Sequence, residues 1–514
     1  MCQVASMGII ESFDDLLIHI GTGRWNVLYI LAASFTYFTW AAQSVSFVYM
    51  APALNYTCLP PNNTTSVSED SCSYVRITKD VAEVQEPCTE WYFDTSIFSN
   101  TLTSEFQLVC SRAYLRATYH SIFSFFSVFS LLWGYLADRY GRKTVVVLTY
   151  VPLGIVYMGM SFLPIFSMVL TFRALMGVLT NSTMYLLAME VCEIKNRSLV
   201  GTLLGLPWAL GTMAYGGLGY FIRDWRWINL SISTPFLLIF VFIYLLDESP
   251  RWLLVTGNKK KARLVLQRAA RINQTQLPSE EDIENTQQTI LSERETARMA
   301  CWWPKIFSTP IIRRVTVILA VCYFITSLVF TGLNVGGRVF SDNPFLYVVM
   351  SGLMEVPSYT LSAPIINRWG RKVPLIVGFL VCSISILSTI IIPTDMSWLV
   401  MTLAMLGKLT VSGAYMILVV YQVEIQPTEV RLQGKGITLV SESLGYCIAP
   451  YITDILAMTF TRLPSVIFGV TSLVVCCLLA LLPETAGVPL PDTVEDLNKL
   501  WRRKWFKTSN SEDL

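Results

Sequence analysis

The sequence predicts an all-α membrane protein whose twelve transmembrane helices form two six-helix halves. Three observations support this fold class: the composition, the number of apolar stretches and an internal repeat. Of 514 residues, 53% are hydrophobic and only 14% are charged, whereas soluble proteins average about 25% charged residues. Such a low charge content is typical of a chain that faces lipid over much of its surface, and it excludes a soluble fold.

The apolar stretches give the individual spans. The first, residues 25–50, contains no charged residue and is longer than the roughly 20 residues that cross a bilayer. It is too long for the apolar region of a signal peptide, so we expect it to remain in the mature protein. The later spans are predicted at residues 114–136, 145–163, 167–192, 198–222, 228–246, 315–334, 345–366, 373–393, 397–422, 436–458 and 464–482.

Basic residues cluster in alternate loops, which predicts the orientation of the chain. The stretch from Arg251 to Arg314 holds twelve Lys and Arg residues, whereas the loop 51–113 holds eight acidic residues and three basic ones. We therefore expect both termini in the cytoplasm and the loop 51–113 outside. The predicted divisions are a cytoplasmic N-terminus (1–24), a first half (25–246), a cytoplasmic central loop (247–314), a second half (315–484) and a cytoplasmic tail (485–514).

The loop 51–113 has the features of an exported and oxidised segment. It contains four cysteines, Cys58, Cys72, Cys88 and Cys110, and glycosylation sequons at Asn55, Asn62 and Asn63. We expect glycans at these asparagines and a location in the plasma membrane.

Three motifs occur twice along the chain. The first copies are Gly134–Lys143, Glu190 with Arg197, and Leu246–Ser249; the second copies are Ala363–Lys372, Glu424 with Arg431, and Leu482–Thr485. The offsets between matching positions are nearly equal: 363 − 134 = 229, 424 − 190 = 234 and 484 − 248 = 236. Two halves in the same orientation are the architecture expected of the major facilitator fold, which has its substrate site between the halves near the bilayer midplane.

These motifs place acidic and basic residues at one end of the spans. Because carboxylates and guanidinium groups form bidentate pairs, we predict a cytoplasmic gate that latches the two halves together. The predicted gate residues are Asp138, Arg142, Glu190, Arg197, Glu248, Arg251, Arg371, Glu424, Arg431 and Glu484. The alternative is that they only set the topology, which explains the arginines but not the paired acids.

Further motifs lie in or beside the predicted spans. They are Asp138-Arg-Tyr-Gly-Arg-Lys, Arg173-Ala-Leu-Met-Gly, Asp247-Glu-Ser-Pro-Arg-Trp-Leu, Gly407-Lys-Leu-Thr and Pro483-Glu-Thr-Ala-Gly. With the large first outer loop, they make the sequence resemble the organic cation, anion and carnitine transporter family (solute carrier family 22) over nearly its whole length. The resemblance implies a transporter without a cofactor. Many members have six cysteines in the outer loop; the four present here imply two disulfides and leave three pairings open.

Ionisable residues within spans are costly, so each is a candidate for binding substrate. Glu355 in span 8 matches an acidic position that family members present to the central cavity, and it is our first candidate for binding a cation. A structural pair with Lys408 is its alternative. In span 11, Glu442 precedes Ser443, the position at which cation-selective family members tend to carry Asp and anion or zwitterion members Arg. A shift of one residue rotates a side chain by about 100°, so the facing of Glu442 stays open.

Aromatic rings would complete a cation site, because a ring face attracts an ammonium group by about 0.5–2 kcal/mol. The family positions suggest Tyr323, Phe330 and Tyr415, with Trp208, Tyr37 and Trp40 as weaker candidates.

Together these residues favour a secondary transporter of small organic cations or zwitterions. The alternatives are an organic anion or carnitine-like transporter, favoured by Arg173 and Lys408, and a receptor without flux on the same scaffold. The only histidines are His19 and His120, and no metal or nucleophile constellation is present, so no enzyme is expected. The net charge of +2 gives no reason to expect a nucleic-acid partner. Coupling to ions stays open.

Overall fold

A computed structural model describes residues 13–59, 64–67, 71–77, 83–299, 309–393, 396–488, 491 and 497. Within these residues, twelve apolar helical segments follow one another in the order predicted, and seven of them are individually long and apolar enough to cross a membrane. The other segments are bent, interrupted, shorter or more polar. The predicted fold class of twelve transmembrane helices is confirmed.

Most spans of the first half consist of two helical pieces. Span 1 is Arg24–Ser44 and Phe47–Met50; span 2 is Tyr114–Phe126 and Ser130–Tyr140 around the 3₁₀ turn Ser127–Phe129; span 3 is Arg142–Gly159; span 4 is Phe166–Leu179 and Thr183–Glu190; span 5 is Ile194–Leu203 and Gly205–Phe221; span 6 is Trp225–Ser233 and Ile239–Leu245.

The spans of the second half are mostly uninterrupted. Span 7 is Pro310–Val335, span 8 is Pro344–Trp369, span 9 is Lys372–Ser388, span 10 is Ser397–Ile425, span 11 is Arg431–Pro450 continued by the π-helical turn Tyr451–Leu456, and span 12 is Leu463–Leu481.

The two halves meet along two pairs of spans: span 2 packs on span 11, and span 5 on span 8. Glycines let the second pair approach closely. A Cβ atom at Gly352 would lie 2.9 Å from the Ala209 carbonyl oxygen, and one at Gly216 would lie 2.9 Å from the Val349 amide nitrogen. The absence of a side chain at these positions therefore allows backbone-to-backbone packing between the halves.

One end of the bundle, here called the loop end, carries the segment between spans 1 and 2. Its strands are antiparallel: β1 (Tyr56–Cys58) pairs with β5 (Trp91–Phe93), and β3 (Ser73–Ile77) lies between β2 (Thr64–Val67) and β4 (Glu83–Pro87). The disulfides join Cys58 to Cys88 and Cys72 to Cys110, which selects one of the three pairings left open by the sequence. Asn62 and Asn63 lie outside the described residues.

Glu105 fixes the base of this loop to span 6. Its carboxylate accepts hydrogen bonds from Trp225 Nε1 at 2.8 Å and Asn100 Nδ2 at 3.0 Å, and it forms an ion pair with Arg226. Burial alone would raise the pKa of Glu105, but the hydrogen bonds from Arg226, Trp225 and Asn100 outweigh it and hold the pKa below its ordinary value. The carboxylate is therefore held in its charged form, as these donors require.

The opposite end, here called the motif end, carries the repeated motifs and a layer of short helices. These are α1 (Phe13–Ile20), α2 (Pro250–Val255), α3 (Lys259–Asn273) and α4 (Glu280–Met299). Four of the five apolar residues of α1 are buried, namely Phe13, Leu16, Leu17 and Ile20, whereas Ile18 is exposed. The Asn273 side chain accepts from the Trp25 amide at 3.0 Å and donates to the Gly21 carbonyl at 2.9 Å, which ties α3 to the start of span 1.

Candidate substrate site

An acidic side chain with two tyrosine partners lies inside the second half. Glu442 of span 11 is 6% exposed, and its Oε1 accepts hydrogen bonds from Tyr415 at 2.6 Å and Tyr446 at 3.0 Å. Among the described residues, no Lys, Arg or His forms an ion pair with this carboxylate. Within the described residues, Glu442 is therefore an intramembrane carboxylate without an ion-pair partner, although Lys435 Nζ lies 5.2 Å from the centre of the neighbouring Tyr323 ring. Such an arrangement is costly unless it serves a function.

Glu355, the other acid of this region, is already neutralised. Its Oε1 lies 2.8 Å from Lys408 Nζ, and both side chains are fully buried. The Trp208 side chain lies near the carboxylate, but neither carboxylate oxygen accepts a hydrogen bond from a described residue. The Lys408 ammonium also lies 3.3 Å from the centre of the Phe330 ring. The structure thus places Glu355 in the pair with Lys408 that was its alternative interpretation.

A chain of aromatic rings connects the two acids. The Phe330 and Tyr415 rings are stacked with centroids 6.1 Å apart, and the Tyr323 ring meets Tyr415 edge-on at 6.4 Å. The buried hydroxyl of Tyr323 has no hydrogen-bond partner among the described residues. We call Tyr323, Tyr415 and Tyr446 the tyrosine cluster; two of its hydroxyls donate to Glu442, and the hydroxyl of Tyr323 stays unused.

The first half contributes a second set of rings. Tyr37 contacts Trp40 at 5.8 Å and Tyr185 at 6.1 Å, and Trp40 contacts Trp208 edge-on at 5.6 Å between ring centroids. All four side chains are half-buried. Since Trp208 also lies near Glu355 of span 8, these rings form the first-half wall of the space between the halves.

Span 2 and span 11 form a polar seam between the halves toward the loop end. Three contacts join hydroxyl groups of span 2 to span 11: Ser127 Oγ to Ser443 Oγ at 3.5 Å, Ser121 Oγ to the Cys447 carbonyl at 2.5 Å, and the Thr118 hydroxyl to the Tyr451 hydroxyl at 3.0 Å. Nearest the loop end, Arg116 donates to Asp454 from Nε at 3.0 Å and from Nη2 at 2.9 Å. The Arg116–Asp454 pair is bidentate and buried. Ser443, the charge-selecting position by resemblance, therefore lies at the inner end of a closed seam.

The predicted gate acids and arginines pair within each half. Arg142 contacts Glu190 at 2.9 Å and Asp138 at 2.8 Å, and Arg371 contacts Glu424 at 2.7 Å. Glu248 accepts from the Lys143 amide, and Glu484 from the Lys372 amide, both at 2.9 Å. Each contact joins segments of one half, so the predicted latch between the halves is not formed by these pairs in this structure.

The remaining predicted gate arginines have unexpected partners. Arg197 donates to Asp14 of α1 and to the Cys192 carbonyl, both at 3.1 Å, instead of pairing with Glu190. Arg431 donates to the Gln426 carbonyl at 3.2 Å, and the Arg251 guanidinium lies 6.0 Å from the centre of the Phe13 ring. The N-terminal helix thus holds two of the residues expected to act in the gate.

Arg173, which favoured the anion alternative, is fully buried within the first half. Its guanidinium lies 4.9 Å from the centre of the Tyr119 ring and 4.7 Å from that of Phe123, and it donates to the Gln43 carbonyl at 3.2 Å. Ring faces and a carbonyl therefore stabilise its charge. Neither Arg173 nor the paired Lys408 presents a free positive charge to the space between the halves.

Several site residues were not found from the sequence. Tyr446 lies four residues after Glu442 and so shares its helix face; that spacing could have identified it. Tyr185, Asp14 and the partnership of Arg116 with Asp454 carry no comparable local signal, because their partners lie on distant segments.

Known proteins show similarity over nearly the whole chain. The family described as "Sugar (and other) transporter" matches residues 25–496. "Solute carrier family 22 member 3" of Rattus norvegicus is 32% identical, covering 85% of this chain and 79% of the relative. "Organic cation transporter protein" of Drosophila melanogaster is 29% identical, covering 94% of each chain, and "Solute carrier family 22 member 6" of Mus musculus is 29% identical, covering 96% and 95%.

The fold also matches solved structures. The xylose transporter XylE from E. coli in a partially occluded inward open conformation has a TM-score of 0.64 at 16% identity, covering 91% of this chain and 100% of XylE. Its inward open conformation has a TM-score of 0.61 at 17% identity, covering 93% and 99%.

Proposed function

This chain belongs to solute carrier family 22 within the sugar (and other) transporter family of the major facilitator superfamily, and from that premise we propose that it carries small organic cations or zwitterions by alternating access. It is a transporter of small organic solutes, as its relatives are. The charge of the cargo and the residues that bind it are our proposal.

The observation that carries the proposal is the unpaired carboxylate of Glu442. Its two tyrosine donors stabilise a negative charge but do not cancel it. An organic cation that enters from the space between the halves would supply the missing positive charge. The rings of the tyrosine cluster would add cation–π attraction of about 0.5–2 kcal/mol per favourable contact. We assign Glu442 and the tyrosine cluster as the principal cation site.

Glu355 and Lys408 take a supporting role in this proposal. Because they neutralise each other at 2.8 Å, the pair adds no net charge for the cargo to balance. The ammonium of Lys408 against Phe330 orients that ring, and Phe330 in turn stacks on Tyr415. The pair therefore positions one wall of the site, which makes Glu355 a weaker candidate for direct contact with the cargo than Glu442.

We propose that the motif end faces the cytoplasm and the loop end the outside of the plasma membrane, with the domain limits given by the sequence. The closed seam of spans 2 and 11 then makes this conformation inward-facing. A membrane potential of 100 mV is worth about 2.3 kcal/mol per charge, which would concentrate a monovalent cation roughly fiftyfold without another energy source.

Uptake of a radiolabelled tetraalkylammonium ion in cells tests the assignment. We expect Glu442→Gln to lower the apparent affinity at least tenfold, because the variant keeps the hydrogen-bonding shape but removes the charge. Glu355→Gln should instead lower the amount of folded protein, since it leaves Lys408 buried without a partner. Combining it with Lys408→Gln should restore folding and part of the uptake, because the ammonium that orients Phe330 is also lost.

The control is Tyr220→Phe, an exposed tyrosine of span 5 outside the site, which should leave uptake unchanged. If Glu442→Gln transports the cation with unaltered affinity, or if anions alone compete for uptake, the cation assignment is wrong. Loss of flux for every solute with saturable binding retained would instead indicate a receptor.

A further inference from the structure

One side of helix α3 is buried against the rest of the protein. Its residues Ala262, Leu266, Ala269 and Ala270 are buried. With about 100° between successive residues, these four side chains lie within one half of the helix circumference. They pack α3 against the other helices of the motif end, which leaves the opposite side of the helix available.

That opposite side combines exposed apolar groups with basic ones. Leu264 is 64% exposed and Ile272 is 37% exposed, and with Arg268 between them they recur every four residues on one face. Lys261 and Arg271 lie within about 60° of this line and are also exposed. We call Lys261, Leu264, Arg268, Arg271 and Ile272 the basic face. A leucine at the centre of a basic surface is typical of helices that lie in a membrane interface.

The contacts of α3 place the basic face at the membrane boundary. Arg268 Nη1 donates to Asp247 Oδ1 at 2.9 Å, and Asp247 lies two residues after span 6 ends at Leu245. Asn273, at the end of α3, bonds the Trp25 amide at the start of span 1. The helix therefore runs along the ends of two spans, where a bilayer that covers the spans would have its headgroups.

The charges on the two sides of α3 differ in their partners. Lys259 pairs with Glu284 at 2.6 Å, and Arg263 pairs with Glu280. Lys261 and Arg271 form no ion pair with any described residue, although both are exposed. Two cations at the span ends thus have no acidic partner within the described part of the chain, so an anionic ligand would complement them.

We propose that the basic face of α3 binds anionic phospholipids of the leaflet at the motif end. Lys261 and Arg271 contact the headgroup phosphates and carboxylates, while Leu264 and Ile272 enter the boundary with the acyl chains. The interaction is separate from the substrate site, and only the name of the leaflet, cytoplasmic, rests on the orientation proposed above.

The test uses the full-length protein in nanodiscs and compares its association with spin-labelled phosphatidylserine and phosphatidylcholine. Each basic residue near an anionic surface is worth roughly a fivefold change in affinity. Lys261→Gln combined with Arg271→Gln should therefore reduce the preference for phosphatidylserine about tenfold or more. Lys259→Gln with Arg263→Gln removes the same charge from another side of the same helix and should leave the preference within about twofold.

Two further experiments distinguish a membrane phospholipid from a soluble anion as the ligand of the basic face. Soluble glycerophosphoserine, which has the headgroup without acyl chains, should compete weakly, and Leu264→Gln should also weaken the preference. Equal effects of the two double variants, no preference in the wild-type protein, or full competition by the soluble headgroup would each overturn the proposal. Because the readout is lipid association, a failure of the cation assignment does not affect it.

Discussion

At the loop end the ion pair of Arg116 with Asp454 joins the two halves, whereas at the motif end Arg142 and Arg371 pair with acids of their own half. The two ends thus use similar chemistry for different purposes. A contact between rigid bodies must break when they move apart, but a contact within one body can persist. The loop-end pair is therefore suited to a gate, and the motif-end pairs are suited to hold each half rigid.

Span 2 shows the same contrast along a single helix axis. In its loop-end piece, Tyr114–Phe126, seven residues are buried, whereas in the motif-end piece, Ser130–Tyr140, only Ala137 is buried. The same span is closed against span 11 at one end and open at the other. This is the difference expected of a bundle that has rocked shut on one side.

The largest effect is expected from breaking the loop-end pair. Removing one partner of a buried ion pair typically costs about 3–5 kcal/mol, so Arg116→Ala should shift the population strongly toward a state open at the loop end. Maleimide labelling of Ser121→Cys, which is buried in the seam, should rise in the Arg116→Ala background. The swapped variant Arg116→Asp with Asp454→Arg should recover part of the protection of Ser121→Cys from labelling. If Arg116→Ala leaves the labelling unchanged, the Arg116–Asp454 pair is not a gate.

At the motif end we expect a smaller loss of stability and no opening of the contact between spans 2 and 11. Arg142→Ala leaves the Glu190 carboxylate, 10% exposed, without its guanidinium and should cost about 1–3 kcal/mol. Thermal unfolding should show this loss while labelling at Ser121→Cys stays low. Asp138→Asn is the matched control, because Asp138 is 70% exposed and an exposed ion pair is worth about 0–1 kcal/mol. Increased seam labelling in Arg142→Ala would mean that the motif-end pair does couple the halves.

The smallest effect is expected at the rim of the loop end. Asn55 Oδ1 accepts a long hydrogen bond from Arg338 of the second half at 3.3 Å, and Asn55 is also a predicted glycan acceptor. Asn55→Gln and Thr57→Ala both remove the sequon, but only the first replaces the contact residue. We expect both to lose one glycan on a gel and to keep transport within about twofold, because an exposed hydrogen bond is worth only about 1 kcal/mol.

The sequence predicted the elements of this fold well because each span is a local signal. The limits predicted for span 8, 345–366, differ by one residue at its start and three at its end from Pro344–Trp369. The repeat also predicted correctly that Arg142 and Arg371 have acidic partners. Local patterns are sufficient for such features because neighbouring residues and equal spacings determine them.

The choice of partners was much less predictable. Glu355 and Glu442 are both acids within spans. For Glu355 the sequence offered the pair with Lys408 only as the alternative, and the three-dimensional packing decides for it at 2.8 Å; that Glu442 meets tyrosine hydroxyls was not predicted. Likewise, Arg116 and Asp454 lie 338 residues apart, and no spacing rule connects them. Pairing across the two halves depends on the conformation as well as on the sequence.

The central claim, that spans 2 and 11 must separate during transport, is tested most directly by cross-linking Ser127→Cys to Ser443→Cys, whose hydroxyl oxygens lie 3.5 Å apart. The matched control is Thr389→Cys with Ser465→Cys, 3.1 Å apart within the second half. We predict that oxidation stops transport in the first variant, that reductant restores it, and that the control transports in both states. Transport by the fully cross-linked span 2–span 11 variant at the rate of its reduced form would contradict the account.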